Sequence, residues 1–348
     1  MDILERYVAI DNKCAWPNLT LMPDGSIVAA IFGEPCHQLW EGSSECWIST
    51  DGGKLWSFLS VPAHHEAGRT RGDLAAGLTH EGAFVALVSG RKFVPATGEV
   101  LDRPRTLEEQ GNYEAAISRS TDAGKTWSIE GALDDFPPNV SNAVPFGDVV
   151  KLPGNRLAVS CYSCPEDHLE DEADDSAWIY FSDDDGRTWG DARIIGADRY
   201  NETDLLVLAD GKMLAASRTT KTGHTEIFAS ADDGQTWTCR GPVTAAMHMP
   251  AHLLQLQDGS ILLTCGVRLR GMLGVCAMIS RDEGVTWDAP RVLFNTDVYK
   301  SNTSPEGTDG GYPSSTQLAD GTIVTAYYCQ RIPTHQRYHM GVVRWRLS

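Results

Sequence analysis

The sequence predicts an all-β fold: a six-bladed β-propeller of four-stranded antiparallel blades, the last blade closed by the N-terminal strand. Two repeats running in step predict it. The first is an eight-residue pattern, S-x-D-x-G-x-T-W, at residues 120–127, 182–189, 230–237 and 280–287, with a fifth copy at 49–56 that carries Leu55 in the threonine position. The second, ahead of each copy, is an apolar run, a tight turn and another apolar run. Self-similarity at intervals of roughly 50–70 residues marks a repeat architecture.

The residue types justify each element. Asp-Gly between β-favouring runs is a strong hairpin signal. Such turns stand at Asp24-Gly25, Asp210-Gly211, Asp258-Gly259 and Asp320-Gly321, with weaker equivalents at Glu81-Gly82 and Pro153-Gly154. In the eight-residue pattern, Ser and Asp side chains bond nearby backbone N–H groups. Glycine supplies a positive φ, and Thr-Trp resumes an extended run. Each copy therefore reads as scaffold, a hairpin between the third and fourth strands of a blade. The sixth hairpin has no such copy after it; residues 338–345 supply one more strand. Arg6, Tyr7, Val8, Ala9 and Ile10 supply the missing one from the other end of the chain and leave no exposed sheet edge.

Composition narrows the function classes. Because each blade buries its faces only against its neighbours, the 348 residues are expected to form a single domain, 1–348. A net charge of −18 opposes nucleic acid and anionic membranes as partners. No apolar stretch approaches the roughly 20 residues that span a bilayer. The first residues show no signal-peptide pattern, and nine cysteines is an odd number, with Cys161, Cys265 and Cys276 inside apolar runs. A reducing, cytoplasmic setting is expected. The spacing of Cys161 and Cys164 is a weak metal or redox signal. His248 and His252, four apart on a strand, do not converge as they would on a helix, so no metal or cofactor is expected.

Both kinds of turn fall on one face of such a propeller, so function is expected on the other, near the axis. Counting eight residues back from each hairpin turn marks the start of each innermost strand: Trp16, Asp73, Phe146, Glu202, Pro250 and Tyr312. Arg71, His248 and His252 lie beside these positions, and Arg91, Tyr162, Arg218, Arg268 and Tyr328 near the ends of the second strands. Glu34, His37, Glu41, Glu45, Arg103, Arg105, Glu166 and His168 stand in the loops of the first three blades. A cup of arginines, acids, histidines and aromatics suits an anionic or highly hydroxylated ligand such as an acidic sugar.

The whole chain resembles the sialidase (neuraminidase) superfamily of Asp-box, or BNR-repeat, proteins. Sialidases carry a glutamate ahead of a leucine and Asp-Gly turn, with an arginine sixteen residues on; Glu202, Leu208, Asp210-Gly211 and Arg218 match. Their tyrosine nucleophile sits in a context that Gly311-Tyr312-Pro313-Ser314 resembles. The resemblance implies that Glu202 takes the phenolic proton while Tyr312 attacks an anomeric carbon bearing a carboxylate. It also implies an arginine clamp of Arg218 with Arg268 or Arg270, and Arg71, Arg91, His252 and Trp16 are further substrate-binding candidates. Two departures stand out. Ala15 occupies the family's first-blade arginine position, and residues 33–46 hold no aspartate for the acid/base role. Asp73, His37 and Glu45 are the candidate general acids. The expected function is a sialidase-like glycoside hydrolase on an acidic or otherwise polar glycan. The alternatives are a non-catalytic carbohydrate-binding propeller, a lyase on uronate glycans and a protein-interaction scaffold.

Overall fold

The computed structural model describes residues 1–99, 111–138, 140, 142–163, 175–221, 223–269, 272–296 and 310–347. Apart from a short 3-10 turn, every regular element described is a strand. β1 (Asp2–Asp11) comes first. β2 (Asn18–Leu21), β3 (Ile27–Phe32), β4 (Gly42–Ser49) and β5 (Ser57–Ser60) then form one antiparallel sheet, with the short β6 (Thr70–Arg71) on β4. β7 (Asp73–Leu78), β8 (Phe84–Arg91), β9 (Asn112–Ser120) and β10 (Ser128–Ala132) form the next unit, and β11 (Val144–Lys151), β12 (Leu157–Ser163), β13 (Ser176–Ser182) and β14 (Gly190–Gly196) the third. The fourth unit is β15 (Tyr200–Val207), β16 (Met213–Thr219), β17 (His224–Ser230) and β18 (Thr238–Pro242). The fifth is β19 (His248–Gln255), β20 (Ile261–Leu269), β21 (Met272–Ser280) and β22 (Arg291–Asn295). β23 (Gly310–Gln317), β24 (Ile323–Cys329) and β25 (His339–Arg346) end the chain, and β1 completes their sheet by pairing antiparallel with β25.

Units two and three are joined where separate sheets were expected. β7 and β11 pair in parallel at Ala75 with Gly147 and Ala76 with Asp148. Gly77 permits this approach, since a Cβ there would lie 2.4 Å from the Val149 carbonyl oxygen. The first strands contact one another in the order β2, β7, β11, β15, β19, β23, and β23 also contacts β2. Between successive sheets lie apolar layers, such as Ala158, Ile179 and Phe181 against Leu205, Met213 and Phe228. Burying such faces is the main driving force, worth about 1.5–3 kcal/mol for each large side chain.

The five eight-residue turns share one set of bonds. In each, the serine hydroxyl donates to the aspartate Oδ1 at 2.8–2.9 Å and accepts the glycine N–H at 2.8–2.9 Å, as Ser182 does with Asp184 and Gly186. The aspartate also accepts the N–H at the threonine position, 2.8–3.0 Å away. In four copies the threonine hydroxyl adds a bond to Oδ2 at 2.6–2.7 Å. Leu55 has no hydroxyl to give, and it is 75% exposed. These turns meet the hairpin turns of neighbouring units: Thr79 Oγ1 donates to Asp185 Oδ2 at 2.8 Å. Both turn types therefore share a face.

Candidate active site

Four of the six first strands carry a register break where the candidate residues stand. The breaks fall between Phe146 and Val150, Tyr200 and Thr203, His248 and Ala251, and Gly311 and Ser314. Bulges of this kind re-aim side chains and are common beside active sites. Glu202, Pro250 and Tyr312 lie in these breaks. Tyr312 has φ +49°, and Ala15 and Trp16 have +65° and +50°. Such backbone costs about 1–3 kcal/mol per bulky residue and persists only where the surroundings impose it.

The breaks bring Tyr312 and Glu202 together from strands four and six of the inner set. Tyr312 Oη donates to Glu202 Oε1 at 2.5 Å, and both residues are buried. Arg218 Nη1 donates to the other carboxylate oxygen, Oε2, at 2.8 Å. The Arg268 guanidinium lies 5.0 Å from the centre of the Tyr312 ring, and its buried Nε has no hydrogen-bond partner among the described residues. Burial would raise the Glu202 carboxyl, yet Arg218 and Arg268 outweigh it and hold it below the usual carboxylate range. Burial, with the Glu202 charge beside it, pushes the Tyr312 phenol well up. The pair therefore rests as a carboxylate accepting a phenolic hydrogen bond, the contact that a base and a nucleophile would need.

Asp73 opens β7 and lines the same cavity as Tyr312 and Glu202. Gln38 Nε2 donates to its Oδ1 at 2.7 Å, and the Gln38 carbonyl oxygen accepts from Thr70 Oγ1. Burial raises the Asp73 carboxyl, Glu202 adds to the rise, and Gln38, Arg91 and His37 oppose it. An acid held protonated above its ordinary range can donate a proton. Trp16 packs edge-on to His37 at 4.7 Å and to Tyr312 at 6.1 Å, while Phe146 meets Tyr312 at 6.2 Å. The cavity is partly open to solvent, and Trp16, Asp73, Phe146, Glu202 and Tyr312 are in its lining.

Not every sequence candidate joins this group. Arg71 turns away: its Nη1 donates to the carbonyls of Val88 and Glu114, and its guanidinium stacks 3.8 Å from the Tyr113 ring centre. It is a strand brace, which corrects its placement as a substrate clamp. Glu45 is held by Lys13 Nζ at 2.9 Å and by Trp47 Nε1, two residues along the same strand, at 2.9 Å, and it does not line the cavity. Arg91 stays near Asp73 as a charge without lining the cavity. His252 lies deeper along the axis, buried beside Asp148 and Asp204. Arg103, Arg105, Glu166, His168, Arg270 and Cys164 lie outside the described residues. Gln38 was missed because a neutral amide in a loop gives no sequence signal. Asp204 was legible in principle, two residues past Glu202 and on the axial face by alternation.

A family model described as BNR repeat-like domain matches residues 107–325. A sialidase of Micromonospora viridifaciens is 28% identical over 245 residues, 64% of this chain and 36% of that protein. The chain thus spans about a third of the length of this curated relative. Among solved structures, a protein of unknown function from Dyadobacter fermentans superposes with a TM-score of 0.81 at 22% identity, covering 99% of both chains. The sialidase of Trypanosoma rangeli in complex with the inhibitor DANA superposes with a TM-score of 0.68 at 15% identity, covering 97% of this chain and 55% of that one. These likenesses show a common fold.

Proposed function

The chain belongs to the BNR repeat-like family of the sialidase superfamily, and from that premise we propose that it is a glycoside hydrolase acting on an acidic glycan. The observation that carries this reading is the Tyr312–Glu202 contact of 2.5 Å, with Arg218 on the second carboxylate oxygen. Glu202 accepts the phenolic proton as Tyr312 Oη bonds to the anomeric carbon. Asp73 gives its proton to the leaving glycosidic oxygen, and that bond breaks. In the second half, Asp73 as a carboxylate takes a proton from water, the water oxygen bonds to the anomeric carbon, and the phenolate leaves and regains its proton from Glu202. A neutral phenol is the fitting nucleophile where the anomeric carbon carries a carboxylate, because an anionic nucleophile would be repelled. Arg268 and Arg218 are the cations that would hold that carboxylate. As a whole, the architecture is read as one domain of six four-stranded blades, supported by the order of inner-strand contacts and by β1 on β25.

The test is a turnover screen on aryl sialosides and aryl uronides with Tyr312→Phe and Glu202→Gln beside the parent. Loss in both variants supports the pair; turnover unchanged in both sinks it. One observation favours a second reading, a sugar-binding propeller without turnover: Ala15 stands where the superfamily resemblance implies a third clamp arginine. Saturable binding of an acidic sugar with no turnover on any substrate would favour it.

A further inference from the structure

Below the Tyr312–Glu202 pair, the axis holds a second group of side chains that the proposed reaction does not use. Ligand atoms of Asp148, Asp204 and His252 all lie within 4.8 Å of one another. They come from β11, β15 and β19, and Asn18 from the start of β2 joins them. We propose that Asp148, Asp204 and His252, with the Asn18 amide oxygen beside them, bind one divalent cation of the Zn²⁺ or Mn²⁺ class. This inference does not depend on the glycosidase reading.

Two orphaned polar groups point to a ligand there. His252 is 4% exposed, and neither ring nitrogen has a hydrogen-bond partner among the described residues. Its Nε2 stands 3.5 Å from Asp148 Oδ2, a charge-pair distance without good hydrogen-bond geometry. Asn18 is fixed in orientation: its Nδ2 donates to the Gly147 carbonyl at 3.0 Å and to Asp148 Oδ1 at 2.9 Å, and only an NH₂ can face two acceptors. Its Oδ1 is thereby left buried without a partner among the described residues. Asp204 is 1% exposed and accepts the Leu253 N–H at 2.7 Å on Oδ2 and the Asp148 N–H at 3.3 Å on Oδ1. Those bonds lock its plane and leave lone pairs on both oxygens. Gly147 makes room for it, since a Cβ at that residue would lie 2.5 Å from Asp204 Oδ1.

The chemistry of the set selects the ion. Two carboxylates supply the charge that a divalent cation neutralises. One imidazole nitrogen among oxygens argues against Ca²⁺ and Mg²⁺, which prefer oxygen alone, and for ions that accept both. Asn18, Asp204 and His252 line the floor of the cavity that also holds Glu202 and Tyr312, which gives an ion a way in. Bound there, the ion would tie four inner strands at the axis and fix the strand that carries Glu202.

The rival is a protonated His252 closing the axis as an ion pair with the two carboxylates. The deciding experiment strips the purified chain with a chelator, dialyses it against ZnCl₂ or MnCl₂, desalts it and counts metal per chain. Uptake of about one ion per chain is expected for at least one metal, falling to roughly a tenth in both His252→Gln and Asp148→Asn and persisting in Glu202→Gln. Asp148, with a side chain 31% exposed, gives a variant that should fold even if the histidine variant does not. The ¹⁵N shifts of the His252 ring supply a second readout. Two protonated ring nitrogens with no uptake of either metal overturn the proposal, and so does uptake that both variants retain.

Discussion

At the turn face, five copies of one motif make the same serine, aspartate and glycine bonds within about 0.1 Å of each other. At the opposite ends of the same sheets nothing recurs. The six equivalent positions hold Trp16, Asp73, Phe146, Glu202, Pro250 and Tyr312, and four strands break register there. One end repeats because each sheet needs the same closure. The other diverges because each strand there serves a different partner across the axis. The repeat holds the sheets, and the departures from it carry the candidate site.

The sharpest way to break this contrast is Tyr312→Phe. It should cost turnover about a thousandfold or more while shifting the thermal midpoint little, because only the hydroxyl is lost. Initial rates beside a melting curve check both halves; a variant that melts early with normal turnover would reverse the assignment of the two faces. Asp73→Asn should cost about 10²–10⁴-fold. Since burial raises the Asp73 carboxyl, its protonated form survives to higher pH than an ordinary aspartate, and parent activity should fall as pH rises through that raised value. The asparagine variant should lose that limb of the pH–rate profile.

At the turn face the effects are on stability alone. Ser182→Ala strands the buried Gly186 N–H and should cost about 1–3 kcal/mol in urea unfolding with turnover intact. Asp122 and Asp282 are held down to about 2, chiefly by the hydroxyls of Thr126 and Thr286. Their folded values lie below the unfolded one, so their contribution is complete above about pH 4 and drains away as pH falls through 2. A thermal midpoint flat between pH 4 and 2 would contradict this. Leu55→Thr restores the hydroxyl bond missing from the first copy and should gain about 0.5–1 kcal/mol.

The sequence revealed the turn face almost in full, because Ser, Asp, Gly, Thr and Trp act within eight residues of one another. It also placed Glu202, Arg218 and Tyr312, since counting back from a hairpin turn follows one strand. What it could not reveal depends on contacts between units. Arg71 stands beside Asp73 in the chain, yet it turns onto Tyr113 of β9. Gln38 holds Asp73 from another unit's loop. Asp148, Asp204 and His252 meet only because β11, β15 and β19 converge. The parallel pairing of β7 with β11 left no mark in the alternation of residues either.

The pairing of β1 with β25 has a consequence in time. As the chain leaves the ribosome, β1 emerges well before its neighbour β25, with partners such as Tyr7 and Val342 far apart in the chain. Throughout synthesis β1 has an unsatisfied edge, the kind of strand that seeks wrong partners. The intervening units can form from local hairpins, but this seam closes only once β25 has been made. A chain stalled before β25 would therefore carry five four-stranded units able to form and one strand with nowhere to go.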